Sequence, residues 1–210
     1  MPEIAEGLRE RNKREKLERI RAAARALFAK RGFEATTARD VCRRAGIGTG
    51  TLFLYVRDKR ELLFLTFEED ARGIFAEGRA AAAKERGLVD QAMAIFGRFV
   101  AYYARDTAHA KALVQELFFR EHDSSLMGRL TLEFGAHLAD LVAKAQARGQ
   151  VRAELAPMGV ANAFFAHYAY WIQGWLGAAL VSREGAEEGL RSSLELQLDG
   201  LRPRPRRTEK

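Results

Sequence analysis

The chain has 210 residues, of which 48% are hydrophobic and 30% are charged, and its formal net charge is +7. This composition allows one or two folded domains with a sizeable core and excludes disorder of the whole chain. The single cysteine, Cys42, excludes an intrachain disulfide, and no basic and apolar leader opens the sequence, so we expect a cytoplasmic protein.

The positive charge is concentrated at the two ends. Residues 1–60 carry 16 Lys and Arg against 8 Asp and Glu, residues 61–200 carry 14 against 19, and residues 201–210 carry 5 against 1. A basic segment attracts a polyanion, whereas an acidic one is repelled by phosphate. The N-terminal part is therefore the predicted nucleic-acid end, and solvated helix faces are the alternative explanation of the charge.

Residues 12–31 predict a long amphipathic helix that ends at Gly32. Its apolar residues recur at spacings of three and four, and they are Leu17, Ile20, Ala24, Leu27 and Phe28. Residues 1–11 lack this periodicity, and we expect them to form a flexible basic arm.

Residues 36–59 predict two short helices around a glycine corner. Thr36 and Thr37 are suitable N-caps, and the corner follows at Gly46. At 100° per residue, a second helix over residues 49–56 turns Leu52 and Val56 inward and directs Gly50, Thr51 and Leu54 outward. This is the arrangement of a helix-turn-helix that reads the major groove.

The same residues resemble the TetR family of one-component transcriptional repressors over roughly residues 14–65. The resemblance rests on Val41-Cys42, Ala45-Gly46-Ile47, Gly50-Thr51-Leu52-Phe53, Tyr55-Val56, Lys59 and Glu61-Leu62, preceded by Ala26-Leu27-Phe28, Gly32-Phe33 and Thr36-Thr37. The chain departs from the family at Gly48, where a capping Ser is common, and at Phe53, where Tyr is common.

The resemblance implies an operator-binding surface around the second helix. Lys59, next to the capping sequence Asp58 to Glu61, is predicted to hold a phosphate at a helix start. The predicted DNA-binding residues are Thr36, Thr37, Arg39, Thr49, Gly50, Thr51, Phe53, Leu54, Tyr55 and Lys59.

The rest of the chain predicts further helices without strand signals. We expect them over residues 58–84, 89–103, 111–121, 124–148, 157–180 and 184–201, with a loop at 106–110 and a connector at 149–157. The predicted fold is all-α with about nine helices. Residues 1–58 form the DNA-binding domain, residues 59–202 form a helical-bundle domain for ligand binding and dimerisation, and residues 203–210 form a disordered basic tail.

Aromatic residues are dense in the second domain. A helical core explains most of them, but the resemblance implies a small-molecule effector site, with polar-tipped aromatics orienting a mostly hydrophobic ligand. The candidate ligand-binding residues are Phe96, Phe99, Tyr103, Phe134, His137, Phe164, His167, Tyr168 and Trp171.

The remaining expectations concern partners and chemistry. In TetR-like proteins the last two helices pair with those of a second subunit, so we expect a homodimer on a roughly palindromic operator.

No metal-ligand spacing or nucleophile motif is present, so we predict neither metal, cofactor nor enzyme activity. Residues 163–181 are apolar but interrupted by His167 and Gln173, which favours a buried helix over a membrane span. A DNA-binding regulator without an effector, and a helical enzyme or carrier, are the alternatives.

Overall fold

A computed structural model describes residues 7–119, 126–177 and 180–202, including their side chains except at 116–119, 126 and 127. The described residues form helices joined by turns and loops and contain no strand, as predicted. Residues 1–6 of the predicted arm, residues 124 and 125 of the helix predicted over 124–148, and the predicted tail at residues 203–210 lie outside the described residues. The described helices are α1 (Leu8–Arg31), α2 (Ala38–Ala45), α3 (Thr49–Leu52), α4 (Lys59–Ala82), α5 (Leu88–Tyr103), α6 (Thr107–Phe119), α7 (Leu126–Ala147), α8 (Pro157–Ile172) and α9 (Arg183–Leu201).

The chain separates into two compact units, Met1–Asp70 and Ala71–Lys210, and α4 contributes residues to both. The predicted functional boundary between residues 58 and 59 therefore lies at the start of α4, whereas the compact units divide inside that helix. The functional boundary stays a prediction.

The core of the first unit is the apolar stripe of α1 packed on the following helices. Ile20, Ala24, Leu27 and Phe28 are buried as predicted, whereas Leu17 is half-buried. The helix α1 is longer than expected, because residues 8–11 of the predicted flexible arm are helical. The carbonyl of Gly7 accepts from the amides of Glu10 and Arg11, and Arg11 pairs with Glu15 one turn later at 3.0 Å.

Two arginines of α1 reach carbonyl groups of α4 inside the first unit. Arg21 Nε donates to the carbonyl of Leu65 at 3.1 Å, and Arg25 donates to that of Thr66 at 3.0 Å. Arg21 also lies 3.5 Å from the carboxylate of Glu68. These contacts fix the first part of α4 against α1.

Three other boundaries differ from the sequence prediction. The loop expected at residues 106–110 is wrong, because Asp106 accepts from the amide of His109 at 3.0 Å and α6 begins at Thr107. The helix expected over residues 49–56 ends at Leu52, although turns continue to Val56. The helix expected over residues 157–180 is regular only to Ile172 and is followed by a π-helical turn over Gln173–Gly177.

The helices α8 and α9 approach each other closely at Gly189. A Cβ atom at this position would lie within 2.6 Å of three ring atoms of Trp171, whose indole N–H donates to Ser193 Oγ at 3.0 Å. Leu190 and Leu194 are buried beside this contact. The absence of a side chain at Gly189 therefore leaves the space that the Trp171 ring occupies.

This contact predicts opposite effects for two Gly→Ala substitutions. Gly97 lies inside α5, and a Cβ atom there would meet nothing within 4 Å, so Gly97→Ala is the matched control. We expect Gly189→Ala to lower the free energy of unfolding by about 1 to 3 kcal/mol through overpacking. We expect Gly97→Ala to raise it by about 0.5 to 1 kcal/mol through helix propensity. Urea denaturation at one fixed protein concentration measures both, and equal effects would contradict the close packing at Gly189.

Candidate functional site

The start of α2 is held by a reciprocal cap between Thr37 and Asp40. The amide of Asp40 donates to Thr37 Oγ1 and the amide of Thr37 donates to Asp40 Oδ2, each at 3.2 Å. The Thr37 hydroxyl also bonds to this carboxylate at 2.7 Å, and these bonds hold the pKa of Asp40 below its ordinary value. Both halves of a capping box are therefore present.

The neighbouring Thr36 has a different role from Thr37. Its side chain is buried, and its hydroxyl donates to the carbonyl of Gly32 at 2.8 Å. Thr37 and Arg39 are exposed at the surface. Thr36 therefore closes the turn before α2, and its hydroxyl does not lie on the surface that the other predicted contact residues form.

The corner between α2 and α3 depends on Gly46. This residue has φ +65° and ψ 41°, the left-handed conformation expected from the sequence, and its amide donates to the carbonyl of Cys42. Gly48, the N-cap of α3, provides no side-chain hydrogen bond, so the departure from a capping Ser leaves α3 without that bond. The corner is fixed by the backbone conformation of Gly46 instead.

The helix α3 presents a weakly polar face to solvent. Leu52 and Val56 are buried as predicted, while Leu54 is 82% exposed and Phe53 is 50% exposed. Thr49 and Gly50 are exposed, and Thr51 and Tyr55 are half-buried. The predicted base-reading residues therefore lie on the outer side of α3 and the turn that follows it, within reach of a partner.

Lys59 is engaged inside the first unit. Its ammonium donates to the carbonyl of Glu34 at 3.0 Å and lies 4.3 Å from the ring centroid of Phe33. At the same helix start, Asp58 Oδ1 accepts from the amides of Arg60 and Glu61 at 2.8 and 3.0 Å. The amides of Arg60 and Glu61 are therefore not available to a phosphate at this helix start. Lys59 can contact a phosphate only through the ammonium hydrogens that do not bond to Glu34.

In the second unit, aromatic side chains from four helices form one aromatic cluster. Phe134 of α7 lies at its centre, 5.4 to 5.8 Å from the ring centroids of four others, which are Phe75, Phe96, Phe99 and Phe165. Tyr168 stacks on Phe96 at 4.6 Å, and Tyr103 lies 6.5 Å from Phe99. Five of the predicted ligand-binding residues therefore meet here: Phe96, Phe99, Tyr103, Phe134 and Tyr168.

The other predicted ligand-binding residues are placed differently. His137 reaches the cluster through an edge contact with Phe75 at 5.4 Å. Trp171 packs on Gly189 of α9 and bonds to Ser193, away from the cluster. Phe164 is buried and His167 is half-buried, and neither makes a ring contact with the cluster in the described part of the chain.

The cluster contains one polar pair, the hydroxyl groups of Tyr103 and Tyr168. The Tyr168 hydroxyl donates to that of Tyr103 at 3.2 Å. Burial raises the pKa of Tyr103 to about 12, and burial together with Tyr103 raises the pKa of Tyr168. Both groups are therefore neutral at physiological pH and can hydrogen-bond to a ligand atom without a charge.

A groove of about 500 Å³ opens next to this cluster, between α4 and α7. It is lined by Arg72, Phe75, Ala76, Arg79, Glu133, Ala136 and His137. Burial, and then the charge of Arg79, lower the pKa of His137, and its Nε2 is buried without a hydrogen-bond partner among the described residues. Sequence reasoning missed Arg72, Phe75 and Arg79, although their spacing of three and four residues places them on one face of α4.

Membrane spans and metal clusters are both absent from the described ranges. No helix among them is long and apolar enough to cross a membrane. No group of three or more His, Cys, Asp or Glu side chains in the same part of the chain has an arrangement that fits a metal ion.

The buried tyrosine pair predicts non-additive effects on stability. Tyr168→Phe leaves the Tyr103 hydroxyl without its partner, so we expect a loss of about 1 to 3 kcal/mol in the free energy of unfolding. The double variant Tyr103→Phe/Tyr168→Phe removes both hydroxyl groups, and we expect it to lose less than the sum of the two single variants. Urea denaturation at one fixed protein concentration measures the cycle. Additive losses would contradict the pairing.

The pair also predicts a pH dependence. The folded protein keeps the Tyr103 proton to about pH 12, because its pKa is raised to about 12, whereas an ordinary tyrosine releases its proton near 10.0. The stability from this group is therefore present below pH 10.0 and is lost as the pH rises towards 12. Urea denaturation over this pH range should show a shallower loss of stability for Tyr103→Phe than for the wild type.

Comparison with known proteins matches the helix-turn-helix segment to one family profile. The sequence profile described as "Bacterial regulatory proteins, tetR family" matches residues 20–65, which contain α2, α3 and the corner at Gly46. A curated relative, the fatty acid metabolism regulator protein of Bacillus subtilis, is 26% identical over 121 residues, covering 57% of this chain and 61% of that protein. The match thus spans less than two thirds of the relative's length.

Solved structures share the fold along most of the chain. FadR of Thermus thermophilus, a TetR-family repressor in complex with lauroyl-CoA, is 23% identical, with a TM-score of 0.74 over 92% of this chain and 99% of that one. FadR of Bacillus subtilis in complex with stearoyl-CoA is 16% identical, with a TM-score of 0.68 over 88% and 98%. The helix-turn-helix segment of this chain therefore matches the TetR-family profile, and the chain as a whole shares its fold with these regulators.

Proposed function

We propose that this protein is a ligand-responsive transcriptional repressor that binds a roughly palindromic operator as a homodimer in the cytoplasm. The observation that carries the proposal is the outer face of α3, which is exposed while Leu52 and Val56 anchor the helix from within. An anchored helix with an exposed face can enter a major groove, and the basic charge of residues 1–60 favours binding to phosphate.

We assign two kinds of DNA contact to this surface. Thr37, Arg39 and Lys59 contact the phosphate backbone and set the position of the helix. Gly50, Thr51 and Leu54 face the bases. Because this face has few hydrogen-bonding groups, reading depends on thymine methyl groups and DNA shape more than on bidentate hydrogen bonds.

The proposed dimer interface is formed by α8 and α9. Exposed apolar side chains lie on these helices and next to them: Met158, Tyr170, Leu180 and Leu196. Their burial against the same residues of a second subunit would remove apolar surface from water. A two-fold dimer carries two reading helices, which accounts for an operator with two similar half-sites.

The proposed effector is a long-chain acyl-CoA. Two structurally similar regulators are in complex with lauroyl-CoA and stearoyl-CoA, respectively. In this chain the aromatic cluster offers a large apolar environment with two neutral hydroxyl groups, which suits an acyl chain ending in a thioester carbonyl. The effector binds more tightly to the conformation in which the position of α4 does not allow operator binding. The ratio of its affinities for the two conformations sets how strongly it weakens operator binding.

Substitutions in the reading surface should separate the two kinds of contact. Lys59→Ala should weaken binding to all DNA sequences similarly and reduce the slope of log K against log salt by about one. Lys59→Arg keeps the charge and is the control. Thr51→Ala and Leu54→Ala should instead change which sequences are selected from a random pool, and replacing thymine by uracil in the operator should weaken the wild type more than Leu54→Ala. Equal effects of all these variants would contradict the assignment.

The response to effector is tested on the selected operator. Fluorescence anisotropy of labelled operator should show that saturating lauroyl-CoA weakens binding by about 5-fold to 150-fold, the usual range of allosteric coupling. Coenzyme A without an acyl chain is the control. If lauroyl-CoA binds but leaves operator affinity unchanged, the protein is a DNA-binding regulator without this switch. If no DNA is selected at all, the repressor proposal is wrong.

A further inference from the structure

The groove between α4 and α7 differs chemically from the aromatic cluster beside it. Its lining includes two guanidinium groups, from Arg72 and Arg79, against one carboxylate, from Glu133. All three side chains are exposed at its rim, and a volume of about 500 Å³ is within the usual size of small-molecule sites. The groove therefore suits a ligand part that is both polar and negatively charged.

The charge of Arg79 acts inside the groove. After burial, Arg79 is the largest contribution that lowers the pKa of His137 on the opposite wall. The imidazole is thus neutral at physiological pH, and its Nε2 is a buried polar atom without a partner among the described residues. An anion is attracted to the α4 wall, which carries Arg72 and Arg79. A neutral polar group can pair with His137 on the α7 wall.

The floor of the groove is shared with the aromatic cluster. Phe75 lies 5.4 Å from Phe134, the central ring of the cluster, and 5.4 Å from His137. The guanidinium of Arg79 lies 5.4 Å from the ring centroid of Phe75. Phe75 therefore separates a charged compartment from an apolar one, and Arg79 contacts it from the charged side.

On the basis of the acyl-CoA effector proposed above, we propose that this groove binds the phosphate-bearing headgroup. Arg72 and Arg79 contact phosphate oxygens, and His137 Nε2 hydrogen-bonds to an amide of the pantetheine linker. The acyl chain passes Phe75 and enters the cluster at Phe134. Guanidinium groups bind phosphate through charge-assisted hydrogen bonds, which gives the headgroup its own share of the affinity.

This arrangement connects headgroup recognition to α4. Arg72, Phe75 and Arg79 all belong to that helix. A phosphate that draws Arg79 towards itself weakens the contact between Arg79 and Phe75, which frees the Phe75 ring to move from Phe134. The groove thus distinguishes an acyl thioester of coenzyme A from a free fatty acid, because only the thioester brings phosphates to Arg79.

The test compares ligands and arginine variants in one titration series. Isothermal titration calorimetry measures the binding of lauroyl-CoA, coenzyme A and lauric acid to the full chain. The variants are Arg72→Gln, Arg79→Gln and their double variant, with Arg79→Lys as the variant that keeps the charge. Arg98→Gln, at an exposed arginine of α5, is the matched control.

We expect each Gln variant to lose about tenfold in affinity for lauroyl-CoA, as for loss of one charge-assisted contact, and to bind lauric acid as the wild type does. Arg79→Lys should recover part of the loss, and Arg98→Gln should bind like the wild type. Operator affinity without ligand should be unchanged in Arg98→Gln.

Three outcomes would overturn the assignment. If the wild type binds lauroyl-CoA and the double variant binds it equally well, the groove does not hold the headgroup. If the variants lose lauroyl-CoA and lauric acid to the same extent, the arginines do not recognise phosphate. If the wild type binds no lauroyl-CoA while still binding its operator, the effector class itself is wrong, and the headgroup site falls with it.

Discussion

The burial of Leu52 and Val56 is the constraint on which the reading surface depends. A helix of four residues is too short to be stable in water by its own hydrogen bonds, so α3 exists because its inner side chains are packed. The packing fixes its rotation, and the left-handed conformation of Gly46 fixes its direction. The orientation of every exposed side chain on α3 and the turn after it is therefore set by buried residues.

The contacts of Lys59 add a second constraint to the same unit. A lysine that bonds to the carbonyl of Glu34 and covers the ring of Phe33 links the start of α4 to the segment before α2. Lys59 therefore stabilises the packing of the first unit and also places a positive charge at the start of α4. The amides beside it are satisfied by Asp58, so an anion at this place is attracted by the remaining ammonium hydrogens and not by open backbone groups.

The sequence predicts the first unit well because its signals are local. The Thr37 to Asp40 cap, the turn at Gly46 and the buried pair Leu52 and Val56 each follow from residues within one or two turns of each other. Boundaries are less predictable. The chain continues in turns from Phe53 to Val56 without a regular helix, and Asp106 starts α6 where small polar residues suggest a loop.

The site of the second unit is less predictable, because it is formed by side chains from helices that are far apart in the sequence. Helical spacing identifies Phe96, Phe134 and Tyr168 as inward-facing, but it does not say that all three meet, nor that Trp171 packs on α9 instead. Arg72 and Arg79 share a face of α4, yet their position opposite His137 depends on how α7 packs. Five rings of the aromatic cluster are thus found from the sequence, whereas Phe75, Arg72 and Arg79 are found only from the structure.

The contact of Trp171 with Gly189 and Ser193 has a spectroscopic consequence. The chain has two tryptophans, Trp171 at the end of α8 and Trp175 in the π-helical turn, and none in residues 1–70. Intrinsic tryptophan fluorescence of this protein is therefore emitted from the second unit alone. The indole of Trp171 packs on Gly189 and bonds to Ser193 of α9, so a change in the spacing of α8 and α9 alters the Trp171 part of this emission without any added label.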